Sequence, residues 1–200
     1  MVAIAEQRLE VDGLEWFYRE ASPEPANSNR LPVLFLHGLV TQSYSWRDIM
    51  PVIAEQGFQT IAPDWIGHGF SARPEKRDFA YTPDAFVDAL DGFLQALSIK
   101  RMHLVVQGFL GAYGLLYAFR HPQTVERLVI VNTPLAPDSK LPWSLKQMTL
   151  PLIGEMLTQD PLLVDRTLEG GGPYQVQDDD LTVYRKPFLT TSAAGRALLA

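Results

Sequence analysis

The sequence contains no cysteine, which excludes disulfides, thiol catalysis and cysteine-based metal sites. It has no apolar stretch long enough to span a bilayer. Its start, MVAIAEQRLEVDG, lacks a basic segment followed by a long apolar one, so neither membrane insertion nor a secretory leader is expected. Positive charge is in deficit, with 17 Lys and Arg against 23 Asp and Glu and a formal net charge of −6. An acidic chain gains nothing from a phosphate-rich surface, which argues against nucleic acid and anionic lipid and leaves a small molecule as the expected partner. Histidine is scarce: His37, His68, His103 and His121, with none further on. The expectation is a soluble, cytoplasmic protein without metal or cofactor.

The 200 residues, 46% hydrophobic and 20% charged, suit one globular domain with a full core. Asp12-Gly13 is a turn signal between two strand-like runs and predicts an opening hairpin. The polar stretch from Ala21 to Arg30 reads as a loop. Leu31 to Leu36 is a short, nearly continuous apolar run, the pattern of a strand buried on both faces of a parallel sheet, and Gly57 to Pro63 repeats it. Between them, Trp46, Ile49, Met50 and Ile53 carry helical spacing over Trp46 to Glu55, with Pro51 against it. Thr82-Pro83-Asp84 supplies a cap, a proline at the first helical position and an acid in the first turn. The stripe Phe86, Leu90, Phe93, Leu94 and Leu97 then reads as core packing.

A third buried strand, HLVVQ, runs into a helix from Leu110 to Arg120, closed by His121-Pro122, and a fourth strand follows, RLVIVN. Alternating strands and helices imply βαβ units and ligand binding at the carboxyl ends of the strands. Three segments fall at those ends: His37 to Trp46, Asp64 to Ser71 and Gln107 to Gly111. From Thr133 the texture changes to proline-rich helical patches broken by EGGGPY and the acidic run Asp178 to Asp180, which reads as an inserted or appended helical layer. The glycine triplet follows no strand and lacks the lysine of a phosphate loop, so it reads as a loop.

Three motifs carry a family likeness. LFLHGLVTQSYSWRDIMP resembles the turn after the third strand of α/β-hydrolases, particularly haloalkane dehalogenases and epoxide hydrolases, with His37-Gly38 at its start. DWIGHGFS fits the family loop D-x-x-G-x-G-x-S at Asp64, Gly67, Gly69 and Ser71. LVVQGFLGAYGLLYAFRHP is similar to the dehalogenase strand, turn and helix, and puts Gly108 at the nucleophile and Phe109 directly after it. Each motif alone is common; their order, spacing and context make the combination specific. The resemblance covers Leu31 to Pro134 and implies the α/β-hydrolase fold, a mostly parallel sheet with flanking helices and a helical cap. The expected division is a hydrolase core over residues 1–134 and a helical cap over 135–200. Asp64 and Ser71 are expected to organise their turn through side-chain to backbone hydrogen bonds, Trp46 to pack, and His68 and His103 to be loop and strand-edge residues.

Hydrolysis in such a family needs an Asp or Ser nucleophile, a histidine and an acid to orient it. Gly108 has no side chain to attack anything. The backbone amides of Leu39 and Phe109 remain as oxyanion-hole donors, and the expected pocket is lined by His37, Gly38, Leu39, Gly108 and Phe109. By resemblance, dehalogenases hold the departing halide with an Asn beside the HG pair and a Trp after the nucleophile. Leu39 and Phe109 stand there instead and cannot donate from their side chains. One class of dehalogenase carries its acid where this sequence has Asn132, which cannot ionise, and the family takes its histidine from a C-terminal loop.

The ending, TSAAGRALLA, reads as a helix without a stop signal, and the last strands of the sheet are lacking, so the fold is expected to be incomplete at its C-terminus. A further tail would bring a histidine but no side chain at Gly108. Glycine also suits the strained backbone of a nucleophile elbow, while Leu110, two residues after the nucleophile position where the family usually needs glycine, predicts a locally different backbone. Three functions follow: a catalytically silent protein binding a small apolar ligand above Leu39, Gly108 and Phe109; a hydrolase with an unorthodox site or a histidine on a missing tail; and a structural or regulatory interaction protein using the apolar segment Leu135 to Leu157. If the chain ends at Ala200, its open sheet edge calls for cover by another chain or a second copy.

Overall fold

A computed structural model describes residues 2–23, 30–135, 143–150, 152–160, 162–170, 175–190 and 193–198. The opening hairpin pairs β1 (Ala5–Val11) with β2 (Leu14–Ala21) around Asp12-Gly13, both with positive φ. The buried strands β3 (Val33–Leu36) and β4 (Thr60–Pro63) follow, then β5 (Met102–Gln107) and β6 (Val125–Val131). The six strands lie in the order β1-β2-β4-β3-β5-β6. The hairpin joins antiparallel through β2 and β4, and β4, β3, β5 and β6 are parallel. This is the mostly parallel sheet expected of crossover βαβ units.

The pleat divides the strand residues between two cores. Leu34, Leu36, Ile61, Leu104 and Val106 face α2 (Pro83–Ala96) and α3 (Gly111–Arg120), which bring Phe86, Leu90, Phe93 and Tyr117. Val33, Phe35, Ala62 and Val105 face Trp46 and α1 (Ile49–Glu55). Both faces of the central strands are therefore covered, which explains their unbroken apolar runs. α2 starts as its sequence predicts, with Thr82 Oγ1 accepting from the Ala85 amide and Pro83 in the first turn.

The continuous helix expected over Trp46 to Glu55 is instead a 3-10 turn (Ser43–Trp46) and the separate helix α1. Pro51 is the third residue of α1, where a missing N–H costs no helical bond, so the proline marks a helix start. His103, expected at a strand edge, is the second residue of β5, a central strand flanked by β3 and β6.

After β6 the described chain is helical: α4 (Trp143–Lys146), α5 (Ile153–Thr158), α6 (Leu163–Glu169), α7 (Asp178–Thr190) and α8 (Ala193–Leu198). Parts of four sequence segments lie outside the described residues: positions 24–29 of the predicted loop, 136–142 and 151 of the apolar segment, 171–174 of the glycine-rich one, and 191–192 and 199–200 of the C-terminal one. β6 is the sheet's far edge, and Leu128, Val129, Ile130 and Val131 are 40–52% exposed. Among the described residues no helix is long and apolar enough to cross a membrane.

Candidate active-site elbow

The three motif segments converge at the carboxyl ends of β3, β4 and β5. At the end of β5 the chain turns through Gly108, whose φ of +64° lies in the left-handed region. The Gly108 amide donates to the Val131 carbonyl (3.0 Å), and its carbonyl accepts from the Gly111 amide (3.1 Å), so the turn is braced by β6 and leads directly into α3. The turn thus has a left-handed residue at position 108 and enters a helix despite Leu110. Leu110 turns its side chain into the α2/α3 core, where it is buried. Close approach is provided further along: a Cβ on Gly111 would lie 2.6 Å from Thr133 Oγ1, and one on Gly114 2.6 Å from Val106 Cγ1. Helix and strand meet closely there, and only glycine fits.

Gly38 touches the elbow from β3. A Cβ built on Gly108 would lie 3.1 Å from Gly38 Cα, and one on Gly38 would lie 3.3 Å from both Gly108 Cα and the Gln107 carbonyl. This backbone contact joins the two turns directly before Leu39 and Phe109. No described group accepts a hydrogen bond from the Leu39 or the Phe109 amide. Leu39 and Gly108 are half-buried and Phe109 is exposed. The amides of Leu39 and Phe109, expected from the sequence as donors, thus have no acceptor among the described residues, and Gly108 carries no side chain.

His37 belongs to the architecture of this site and has no free lone pair. Its Nε2 accepts from the Trp65 amide (3.1 Å), so the ring proton sits on Nδ1, which donates to the Gly38 carbonyl (2.8 Å). The Trp65 indole closes the staple by donating to the His37 carbonyl (3.2 Å). Burial pushes the His37 pKa down to about 4, with the Gly38 bond opposing, and the ring is neutral at pH 7. His68, 6.1 Å away between ring centroids, is also lowered to about 4, first by burial and then by His37. Its Nδ1 is held by the Ile66 carbonyl (3.2 Å), and its buried Nε2 has no partner among the described residues. Asn132, at the acid-like position, is exposed with φ +50°, a left-handed conformation that asparagine tolerates.

The loop after β4 is organised by Asp64 and Ser71. The Asp64 carboxylate accepts from the Ser43 amide (2.6 Å) and the Phe70 amide (2.8 Å), while the Ser71 hydroxyl donates to the Asp64 carbonyl (2.7 Å) and accepts from the Phe17 amide (2.9 Å). Burial raises the Asp64 pKa, and the Ser43 and Phe70 bonds oppose that rise. Gly67 and Gly69 leave the room: a Cβ would meet Tyr81 Cε1 at 2.7 Å and Asp64 Oδ2 at 2.0 Å respectively, and both φ values are positive. Among the described residues no three His, Asp or Glu converge as metal ligands.

A polar seam that the motifs do not reveal joins the β3 loop to α7. Tyr44 Oη donates to Asp180 Oδ1 (2.9 Å), Arg47 donates to Asp180 Oδ2 (2.5 Å), Tyr184 Oη donates to Ser45 Oγ (3.2 Å), and Gln42 Nε2 donates to the Val183 carbonyl (2.8 Å). The acidic run Asp178 to Asp180 was the only sequence signal of it, and a charge run names no partner. A cavity of about 550 Å³ lies elsewhere under the helical layer, lined by Arg73, Tyr81, Glu155, Thr158, Arg196 and Ala197 among others. Leu39, Gly108 and Phe109 do not line it.

A parallel strand that turns through a left-handed glycine into a helix and a D-x-x-G-x-G-x-S loop at the same end of the sheet define a class, and the chain belongs to it: the α/β hydrolase fold family matches residues 32–171. Within that class its relatives include haloalkane dehalogenases. The one from Mesorhizobium japonicum is 36% identical over 170 residues, covering 79% of this chain and 53% of its own, and the one from Bradyrhizobium diazoefficiens is 30% identical, covering 94% and 64%. A 2-hydroxymuconate semialdehyde hydrolase from Pseudomonas is 40% identical over 105 residues, 51% of this chain and 36% of its own. The crystal structure of the Bradyrhizobium elkani haloalkane dehalogenase superposes with a TM-score of 0.84 at 30% identity, covering 98% of this chain and 68% of the other. The chain thus spans about half the length of the Mesorhizobium relative.

Proposed function

We propose that this chain is a hydrolase-fold protein that binds a small apolar molecule at the elbow without the nucleophilic hydrolysis of its class, its core in residues 1–134 and a helical cap in 135–200. One observation carries the reading. The Leu39 and Phe109 amides stand unengaged around Gly108, where a nucleophile is missing, and the side chains beside them are apolar. Covalent attack from that point needs a nucleophilic side chain there; binding needs only a concave apolar wall and a few donors. His37 cannot replace a catalytic base because its lone pair already accepts from Trp65. Ligand-observed NMR with a library of apolar esters, ketones and haloalkanes tests the proposal. Binders displaced by Phe109→Trp, with no turnover, are expected; absence of any binder overturns it.

The unengaged amide pair also favours a second reading, turnover by unorthodox chemistry on a substrate polarised by those amides. Ester, epoxide or haloalkane hydrolysis that falls when Leu39→Pro removes one amide would establish it. Inactivity across such a panel leaves the binding reading in place.

A further inference from the structure

α7 carries Pro187 inside its span Asp178–Thr190. A proline within a helix has no N–H for the carbonyl four residues earlier, here that of Val183. That orphaned carbonyl is not left to solvent: the Gln42 side-chain amide donates to it at 2.8 Å, and Gln42 is 1% exposed. Gln42 therefore supplies, from the β3 loop, the bond that α7 cannot make for itself. A buried unpaired carbonyl is costly, so the bond ties the state of α7 to the position of Gln42.

Gln42 stands three residues after Leu39 in a turn with little freedom. The Gly38 carbonyl accepts from both His37 Nδ1 (2.8 Å) and Thr41 Oγ1 (2.9 Å). Val40 holds a φ of +55°, a conformation a β-branched residue adopts only when its surroundings impose it. The Gln42 carbonyl accepts from the Ser45 amide (2.9 Å), and the Ser43 amide is fixed on Asp64. These bonds and the Val40 conformation restrain the turn between Leu39 and Gln42. Asp180, bridging Tyr44 and Arg47, holds the same loop one helical turn earlier on α7.

We infer that Gln42 is a positioning residue that splices the Pro187 break in α7 to the loop bearing the Leu39 amide, so that the helical layer sets the geometry of the elbow site. The arm of the test that uses a ligand rests on the proposed binding at the elbow; the first arm does not. Hydrogen exchange on the full chain compares the starting protein with Gln42→Ala, Pro187→Ala and the double variant. Gln42→Ala is expected to speed exchange at least tenfold in α7 and in residues 39–47, with α2 unchanged. Pro187→Ala restores an N–H for Val183, so the double variant is expected to regain protection in α7 while residues 39–47 stay fast. Unchanged exchange in Gln42→Ala, or no recovery of α7 in the double variant, overturns the splice. For an apolar ligand found to bind at the elbow, Gln42→Ala is expected to raise Kd at least fivefold with the same ligand specificity. An unchanged Kd alongside the exchange result limits the splice to α7 and overturns its control of the site; absence of any binder overturns the elbow reading and leaves the splice to the exchange result.

Discussion

The loop after β4 and the turn after β5 lie at the same end of the sheet, with β3 between their strands, and are held by different parts of the chain. Asp64 and Ser71 hold the first through their side chains, each satisfying backbone groups that no strand or helix reaches. The hydrogen bonds of the second are backbone ones, from the Gly108 amide to Val131 and from the Gly111 amide to Gly108, and Gly108 itself has no side chain. A frame of this kind does not depend on the side chain at position 108, because backbone hydrogen bonds and the neighbouring glycines shape it. The difference separates fold from chemistry: each property can change at one loop and leave the other intact.

The largest expected effect comes from pH, and it falls on the Asp64 loop at His68 and on the adjoining β3 turn at His37. His37 and His68 are neutral in the fold with pKa values of about 4, against about 6.5 when unfolded. Between these values the unfolded chain binds more protons, so stability is fully present above pH 6.5 and is lost as pH falls toward 4. Each histidine contributes about 3 kcal/mol of that loss. Asp64 opposes it, because a raised carboxyl pKa favours the fold as acid is added. Urea melts at intervals from pH 7.5 to 4 should show the decline, and His68→Gln should remove about half of it. A flat profile would break the account of two neutral buried rings.

Gly69→Ala and Gly108→Ala test the comparison directly, since each adds one methyl group to one loop. At Gly69 the Cβ overlaps Asp64 Oδ2, so the carboxylate must leave its two amides while staying buried. A loss of about 3 to 5 kcal/mol is expected. At Gly108 the Cβ meets only Gly38 Cα at 3.1 Å, in addition to the strain of a positive φ, and about 1 to 2 kcal/mol is expected. Chemical denaturation of the two variants checks the order. Equal losses would mean that the elbow is as tightly filled as its neighbour.

Much of this end of the molecule was legible because its requirements are local. D-x-x-G-x-G-x-S shows which positions need room and which need a side-chain acceptor, and Thr82-Pro83-Asp84 shows where α2 must begin. The likeness to α/β-hydrolases was visible in His37-Gly38 and the turn at Gly108. What escaped depends on distant partners. Gly111 and Gly114 make their close approach to Thr133 and Val106, residues whose positions follow only from the sheet. Gln42 looked like any loop residue until Pro187, far along the chain, left the Val183 carbonyl open. A lone pair occupied by Trp65 likewise cannot be read from a histidine in an HG pair.

The smallest effect sharpens the comparison from the helical side. Asp180 joins Tyr44 and Arg47 in a partly buried pair, with 20% of the aspartate side chain and 27% of the arginine side chain exposed. Such a pair contributes about 1 kcal/mol, screened by salt in its exposed part. Asp180→Asn keeps an acceptor for Tyr44 and removes the charge facing Arg47, so the melting midpoint should fall slightly, and by less in 0.5 M salt. Among the described residues no hydrogen bond or ion pair joins Asp180 to residues 64–71, which reach the β3 loop through the Ser43–Asp64 bond, so residues 43–47 should exchange faster and residues 64–71 change less. If both segments loosen together, the two loops are one mechanical unit and the helical layer acts on all of it. If only 43–47 responds, α7 acts on the β3 loop and, through Leu39, on the elbow alone, leaving the Asp64 loop as the fixed wall against which that site moves.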